Sequence, residues 1–152
     1  MSPLPTSADP GFRQRLHDSF ARQAVMQTMG ARLEVADAGR VVIVMAHNPV
    51  LTQQHGFLHA GIVSTALDSA CGYAAFTLMP ADAAVLTIEF KVNLLAPARG
   101  PLFRIEGVVV KAGRTISVAE GKAWQHEAGG AESLCATMTA TVMTVQGRGL
   151  TH

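Results

Sequence analysis

Apolar positions recur along this chain with two different periods, and the change of period divides it. Over residues 11–29, Phe12, Leu16, Phe20 and Ala24, then Met26 and Met29, fall on one stripe, while Arg13, Arg15, Asp18 and Arg22 fall elsewhere. This predicts an amphipathic helix stopped by Gly30. Residues 31–38 alternate, with Leu33 and Val35 set against Arg32 and Glu34, and 41–46 is a β-branched run. The intervening Gly39 and Arg40 suggest a hairpin turn. Residues 47–57, with Pro49, Asn48 and Gly56, read as a loop. The segment 58–79 is apolar almost throughout and predicts a long helix, broken by Pro80 and Asp82. From residue 85 onward the period drops to two. Segments 85–97, 101–113, 115–130 and 131–147 read as strands separated by Gly or Pro turns.

Strands joined by short turns pair antiparallel. The predicted class is therefore α+β: five or six antiparallel strands packed on one long helix, with an amphipathic helix before them. Residues 1–10 read as a flexible arm, 11–146 as a single domain and 147–152 as a loose tail. A length of 152 residues suits one domain.

Composition sharpens the picture in one respect. Hydrophobic residues make up 49% and charged residues only 15%, below the roughly 25% usual for soluble proteins. Disorder is excluded, because there is ample apolar surface to offset chain entropy. Net charge is +1 with scattered basic residues, which argues against a nucleic-acid partner. So apolar a chain should bury surface between subunits, so we expect a homo-oligomer. The N-terminal segment lacks the basic and apolar regions of a signal peptide, and the 58–79 segment, with Asp68, Ser64, Thr65 and Ser69, suits a membrane poorly. Cys71 and Cys135 sit in apolar segments. They are expected to be buried reduced thiols of a cytoplasmic protein.

Positions 41–81 hold one formal charge, Asp68. Asp has poor propensity mid-helix, and burying it unpaired is costly. A helical projection places Gly61, Ser64 or Thr65, Asp68, Cys71, Gly72 and Ala75 along one strip of small residues, where another backbone or a slender ligand could approach. The alternatives are a structural Asp bonded to the sheet and a general base or nucleophile. Just upstream, His59, Ala60 and Gly61 lie at the predicted helix start, where free N–H groups can polarise a carbonyl oxygen. Asp68 follows His59 by nine residues, or about 13 Å along one helix. One chain cannot easily apply both groups to one carbonyl. Two antiparallel helices from two subunits could, giving two sites shared across a two-fold axis. The low-charge stretch is then expected to be dimer seam and ligand tunnel together. His55 and His59 have metal-ligand spacing, but Gly56 disfavours a helical pair, and no metal is expected. There is no P-loop, nucleophile elbow or dinucleotide fingerprint, so no cofactor is implied.

The loop HGFLHAG running into IVSTALDSACGYAA, followed by VLTIEFKVNLLAPARG, resembles the hotdog fold over roughly residues 12–145. More narrowly it looks like the phenylacetate-pathway type of acyl-CoA thioesterase, the PaaI-like family. The resemblance implies hydrolysis of an acyl-CoA to free acid and CoA by a dimer or a tetramer. It puts the catalytic carboxylate on Asp68, acting as base or as nucleophile. It puts the pre-helix histidine on His59 and the carbonyl-polarising amides on Ala60, where the family usually has glycine, and Gly61. A carbonyl-orienting Asn of some members falls on Gln53, with Gln54 or His55 as substitutes, and a water-holding Ser or Thr falls on Thr87. Arg99, Lys111 and Arg114 match the basic residues that hold CoA phosphates. Phe57, Tyr73, Phe76, Met79, Phe90 and Leu94 could line an acyl pocket or be plain core. The same fold also serves acyl-thioester hydratases, which use a catalytic His, and non-catalytic acyl-CoA-binding modules, which lack the carboxylate.

Overall fold

The structure, a computed structural model, describes Pro3 and residues 5–150. The amphipathic pattern of the N-terminal segment yields two helices, α1 (Phe12–Arg22) and α2 (Ala24–Met29), separated at Gln23. Gln23 leaves helical geometry at ψ 96°, and its N–H closes a tight turn on the Phe20 carbonyl. The break rotates the second segment, so that Met26 and Met29 are buried and Ala24, the next position on the α1 stripe, is exposed. The single helix expected over 11–29 is therefore two. Gly30 ends α2 in the left-handed region (φ 66°), as a C-terminal glycine does.

Six strands follow: β1 (Arg32–Asp37), β2 (Arg40–Ala46), β3 (Ala84–Leu94), β4 (Leu102–Lys111), β5 (Ile116–His126) and β6 (Glu132–Val145). They form one antiparallel sheet in the order β1-β2-β4-β5-β6-β3. Helix α3 (Ala60–Phe76) enters between β2 and β3 and lies in the concave face of that sheet. It is shorter than 58–79 because His59 caps it, and Leu58 belongs to the loop before it, donating its N–H to the Ala98 carbonyl at 2.8 Å.

Strand β2 and most of α3 are plain core. Val41–Met45, Val63, Ala66, Leu67 and Ala70–Phe76 are buried within the one chain. The low-charge stretch 41–81 is thus explained chiefly by a helix wrapped in its own sheet, a correction to its reading as seam and tunnel throughout. Only one face of α3, carrying Ala60, Gly61, Ser64, Thr65 and Asp68, keeps solvent access.

Close approach of sheet to helix is enforced by glycine. A Cβ on Gly107 in β4 would lie 2.3 Å from the Ala70 carbonyl oxygen and 2.6 Å from the Cys71 nitrogen, both backbone atoms of α3. Neither can yield as a flexible side chain would. Gly107→Ala should therefore destabilise the fold by about 2–3 kcal/mol, lowering Tm by roughly 5–10 °C in thermal unfolding.

The described part of the predicted N-terminal arm lies against the C-terminal end of α3. Asp9 pairs with Arg15 at 2.8 Å, and Arg15 reaches on to the carbonyls of Phe76 and Met79. Met1, Ser2 and Leu4 of the arm, and Thr151 and His152 of the tail, lie outside the described residues.

Candidate active site

Asp68 sits on the open face of α3, half-buried, and its carboxylate accepts a hydrogen bond from Thr87 Oγ1 at 2.7 Å. Thr87, an exposed residue of β3 paired across the sheet with the buried Val142, turns its hydroxyl toward α3, and a register shift in β3 follows immediately. The carboxylate therefore has an anchored oxygen, Oδ1. The two residues share a cavity of about 290 Å³ with Gln23, Ser69, Gly72 and Tyr73. The neighbouring Cys71 thiol is pushed up to about 12, by burial first and then by the negative charge of Asp68. Cys135 is raised to about 11 by burial. Both cysteines are free and buried, and neither is a thiolate near neutral pH.

The start of α3 lies in a different cavity, of about 430 Å³, bounded by Gln53, Phe57, His59, Ala60, Leu94 and Cys135 among others. Its amides are mostly spoken for. His59 Nδ1 accepts from the Gly61 N–H at 2.9 Å, and the His59 carbonyl accepts from Ile62 and Val63. Nδ1 can accept only if the ring proton is on Nε2. The N–H of Ala60, an exposed residue lining the cavity, is the one first-turn amide not engaged in this cap. That amide carries the positive end of the helix dipole and can polarise a carbonyl. The Gly61 amide is turned onto the His59 ring instead.

Gln53 lines the same cavity, but its side-chain oxygen accepts from the His55 N–H within its own loop. Gln54 and His55 are exposed and outside the cavity lining. Phe57 and Leu94 line this cavity, Tyr73 the other; Phe76 and Met79 are core, and Phe90 is exposed on β3. Among the described residues no group of three His, Cys, Asp or Glu side chains could hold a metal ion.

The three basic candidates fall at separate places. Arg99 follows Pro97 and Ala98, which line the larger cavity. Lys111 ends β4, and Arg114 lies in the β4–β5 turn, against a small cavity near the end of α3. The sequence reading missed Gln125, which is 2% exposed and holds the Arg99 loop. Its Oε1 accepts from the Arg99 and Gly100 amides, both at 2.9 Å, and its Nε2 donates to the Pro97 carbonyl at 3.1 Å. An uncharged amide at an inward position of an alternating strand was the available signal. Gln23 was missed as well, because nothing marked a helix break there.

A six-stranded antiparallel sheet wrapped around one long helix, with a carboxylate on the helix's open face, defines a hotdog-fold protein. Residues 55–131 match the thioesterase superfamily, and the chain belongs to that family. A thioesterase family protein from Silicibacter pomeroyi is 58% identical and superposes with a TM-score of 0.88, covering 90% of this chain and 100% of that one. The Escherichia coli PaaI protein of the phenylacetic acid degradation operon is 17% identical with a TM-score of 0.80, over 90% and 94% of the two chains, and shares the fold. A protein provisionally named an esterase in Saccharolobus solfataricus is 40% identical over 85 residues, which span 55% of this chain and 59% of that relative. Membership of this family supports thioester hydrolysis in general terms. No helix among the described residues is long and apolar enough to cross a membrane.

Proposed function

We propose that the protein is an acyl-CoA thioesterase whose active site is completed across a homodimer. The observation that carries this reading is the separation of two complementary half-sites on one chain. A threonine-anchored carboxylate opens into one cavity, and the unengaged Ala60 amide opens into another. They stand about 12 Å apart along α3, too far to act on one thioester. Antiparallel docking of two α3 helices brings Asp68 of each beside Ala60 of the other.

The surface supports such docking. The two free edges of the sheet differ in character. β1 is short, bears a bulge and carries Arg32, Glu34 and Asp37 outward, which discourages pairing. β3 is eleven residues long and leaves Leu86, Ile88, Phe90 and Leu94 at 43–53% exposure. An apolar edge beside an open helix face is a surface that a second copy would cover.

In the proposed reaction the thioester oxygen accepts from the Ala60 N–H. Asp68 takes a proton from water as the water oxygen attacks the carbonyl carbon. The carbon–sulfur bond then breaks, the thiolate takes the proton from Asp68, and the free acid and CoA leave. Direct attack by Asp68, through an anhydride that water then opens, gives the same products. Arg99, Lys111 and Arg114 would attract CoA phosphates. Arg99→Ala and Arg114→Ala should each raise KM several-fold with kcat little changed, because such contacts bind ground and transition states alike. The defining experiment is a panel of acyl-CoA thioesters with thiol release as readout and Asp68→Asn as control. Absence of hydrolysis across the panel, or equal hydrolysis by the control, would refute the assignment. Cytoplasmic location and a tetramer built from two dimers belong to the same proposal, the latter checked by light scattering.

A further inference from the structure

Gly72 is a glycine that the fold does not require. It lies mid-helix, where glycine weakens a helix relative to alanine. The glycines of the facing strands have a steric reason. A Cβ on Gly107 would strike α3 backbone at 2.3 Å, and one on Gly121 would meet Cys71 Sγ at 2.9 Å. A Cβ on Gly72 meets nothing within 4 Å, although the residue itself is buried. The empty space it faces is the 290 Å³ cavity that also holds Asp68 and Thr87. Four residues after Asp68, Gly72 stands one turn further along the same helix face.

The walls around that space are fixed. The Tyr73 ring packs against Phe20 at 5.8 Å and Phe76 at 6.0 Å between centroids, and its hydroxyl is hydrogen-bonded with Ser19 Oγ at 3.1 Å. Gln23, brought over the cavity by the α1–α2 break, accepts from Ser69 Oγ at 3.0 Å. The other cavity is larger and is bordered by the Pro97–Ala98 segment leading to Arg99. The smaller cavity is lined by the Asp68 carboxylate and by no Lys or Arg, which disfavours a phosphate-bearing arm there, so the uncharged acyl group takes the side with Gly72.

We propose that Gly72 sets the depth of the acyl pocket, with Gln23 and Tyr73 as its walls, and that the pocket selects compact acyl groups over long fatty chains. A volume of about 290 Å³ lies at the bottom of the range for small-molecule sites. The inference rests on the thioesterase reading for its chemistry, but not for its geometry.

The test is a graded pair, Gly72→Ala and Gly72→Leu, assayed with linear acyl-CoA thioesters from acetyl to palmitoyl. The wild type should favour the shorter members over palmitoyl. Gly72→Leu should raise the ratio of kcat/KM for acetyl to that for hexanoyl at least tenfold, with Gly72→Ala intermediate and Tm equal to or above that of the wild type. An unchanged ratio would overturn the inference. So would dissociation of the Gly72→Leu dimer, which would assign the space to the partner subunit. If the wild type hydrolyses no thioester, the thioesterase reading fails separately. Non-hydrolysable acyl-CoA thioethers then probe the pocket by calorimetry. A selective loss of the longer analogues in Gly72→Leu sustains the inference, and uniform binding or no binding by either protein overturns it.

Discussion

Asp68→Asn should lower kcat for thioester hydrolysis by about 10²–10⁴-fold while KM changes only a few-fold. The substitution preserves size and leaves an oxygen to accept from Thr87, whose bond to Asp68 is 2.7 Å long. The fold and the cavity should therefore survive, and circular dichroism and Tm should match the wild type. What is lost is the ability to take a proton from water or to attack the carbonyl, because an amide does neither. Thr87→Val provides the graded comparison. It removes the anchor and keeps the carboxylate, so its loss should be smaller and should fall on kcat. Single-turnover hydrolysis in oxygen-18 water then separates the two roles: label entering the Asp68 carboxylate marks direct attack, and label confined to the product acid marks a general base.

Ala60→Pro should be nearly as damaging, at about 10²–10³-fold in kcat, and for a reason that only backbone chemistry supplies. Proline is favoured at the first position of a helix, where its missing N–H has no intrahelical acceptor. The preceding residue must be extended, and His59 already is, at φ −58° and ψ 140°. The variant should therefore fold with α3 intact and lose only the one first-turn donor that the cap leaves open. Ala60→Gly, which keeps the N–H, should retain activity. Mixing the inactive Asp68→Asn and Ala60→Pro chains distinguishes shared sites from sites within one chain. If each site takes Asp68 from one subunit and Ala60 from the other, a mixed dimer has one intact site and one doubly defective site. Random reassortment should then restore about a quarter of wild-type activity, since half the dimers are mixed and half their sites are whole. No recovery after verified subunit exchange would place both groups of a site on the same chain.

Local patterning carried most of the architecture. The period-two segments after residue 85 became β3 to β6 with boundaries moved by one to three residues at most ends, since alternation records which face meets the core. The isolated charge at Asp68 was legible because a carboxylate in an otherwise uncharged helix needs a partner or a purpose, and the structure supplies Thr87 Oγ1 as a partner. The break at Gln23 was not legible. The stripe Phe12, Leu16, Phe20 extrapolates smoothly to Ala24, and only packing into the core rewards turning Met26 and Met29 inward instead.

The same division applies to the functional groups. Residue type and spacing alone established that a histidine, a helix start and a carboxylate stand nine residues apart, because helical rise is fixed by backbone geometry. From that the proposal of a site shared by two chains follows. Which amide remains open was decided by the tertiary structure, because it depends on the rotamer by which the His59 ring turns back onto Gly61. The role of the low-charge stretch was decided there too. Composition counts apolar residues without regard to what covers them, so it could not tell a helix enclosed by its own sheet from one awaiting a partner. Only the folded chain separates the buried β2 and α3 from the exposed β3 edge, because burial is set by neighbours distant in sequence.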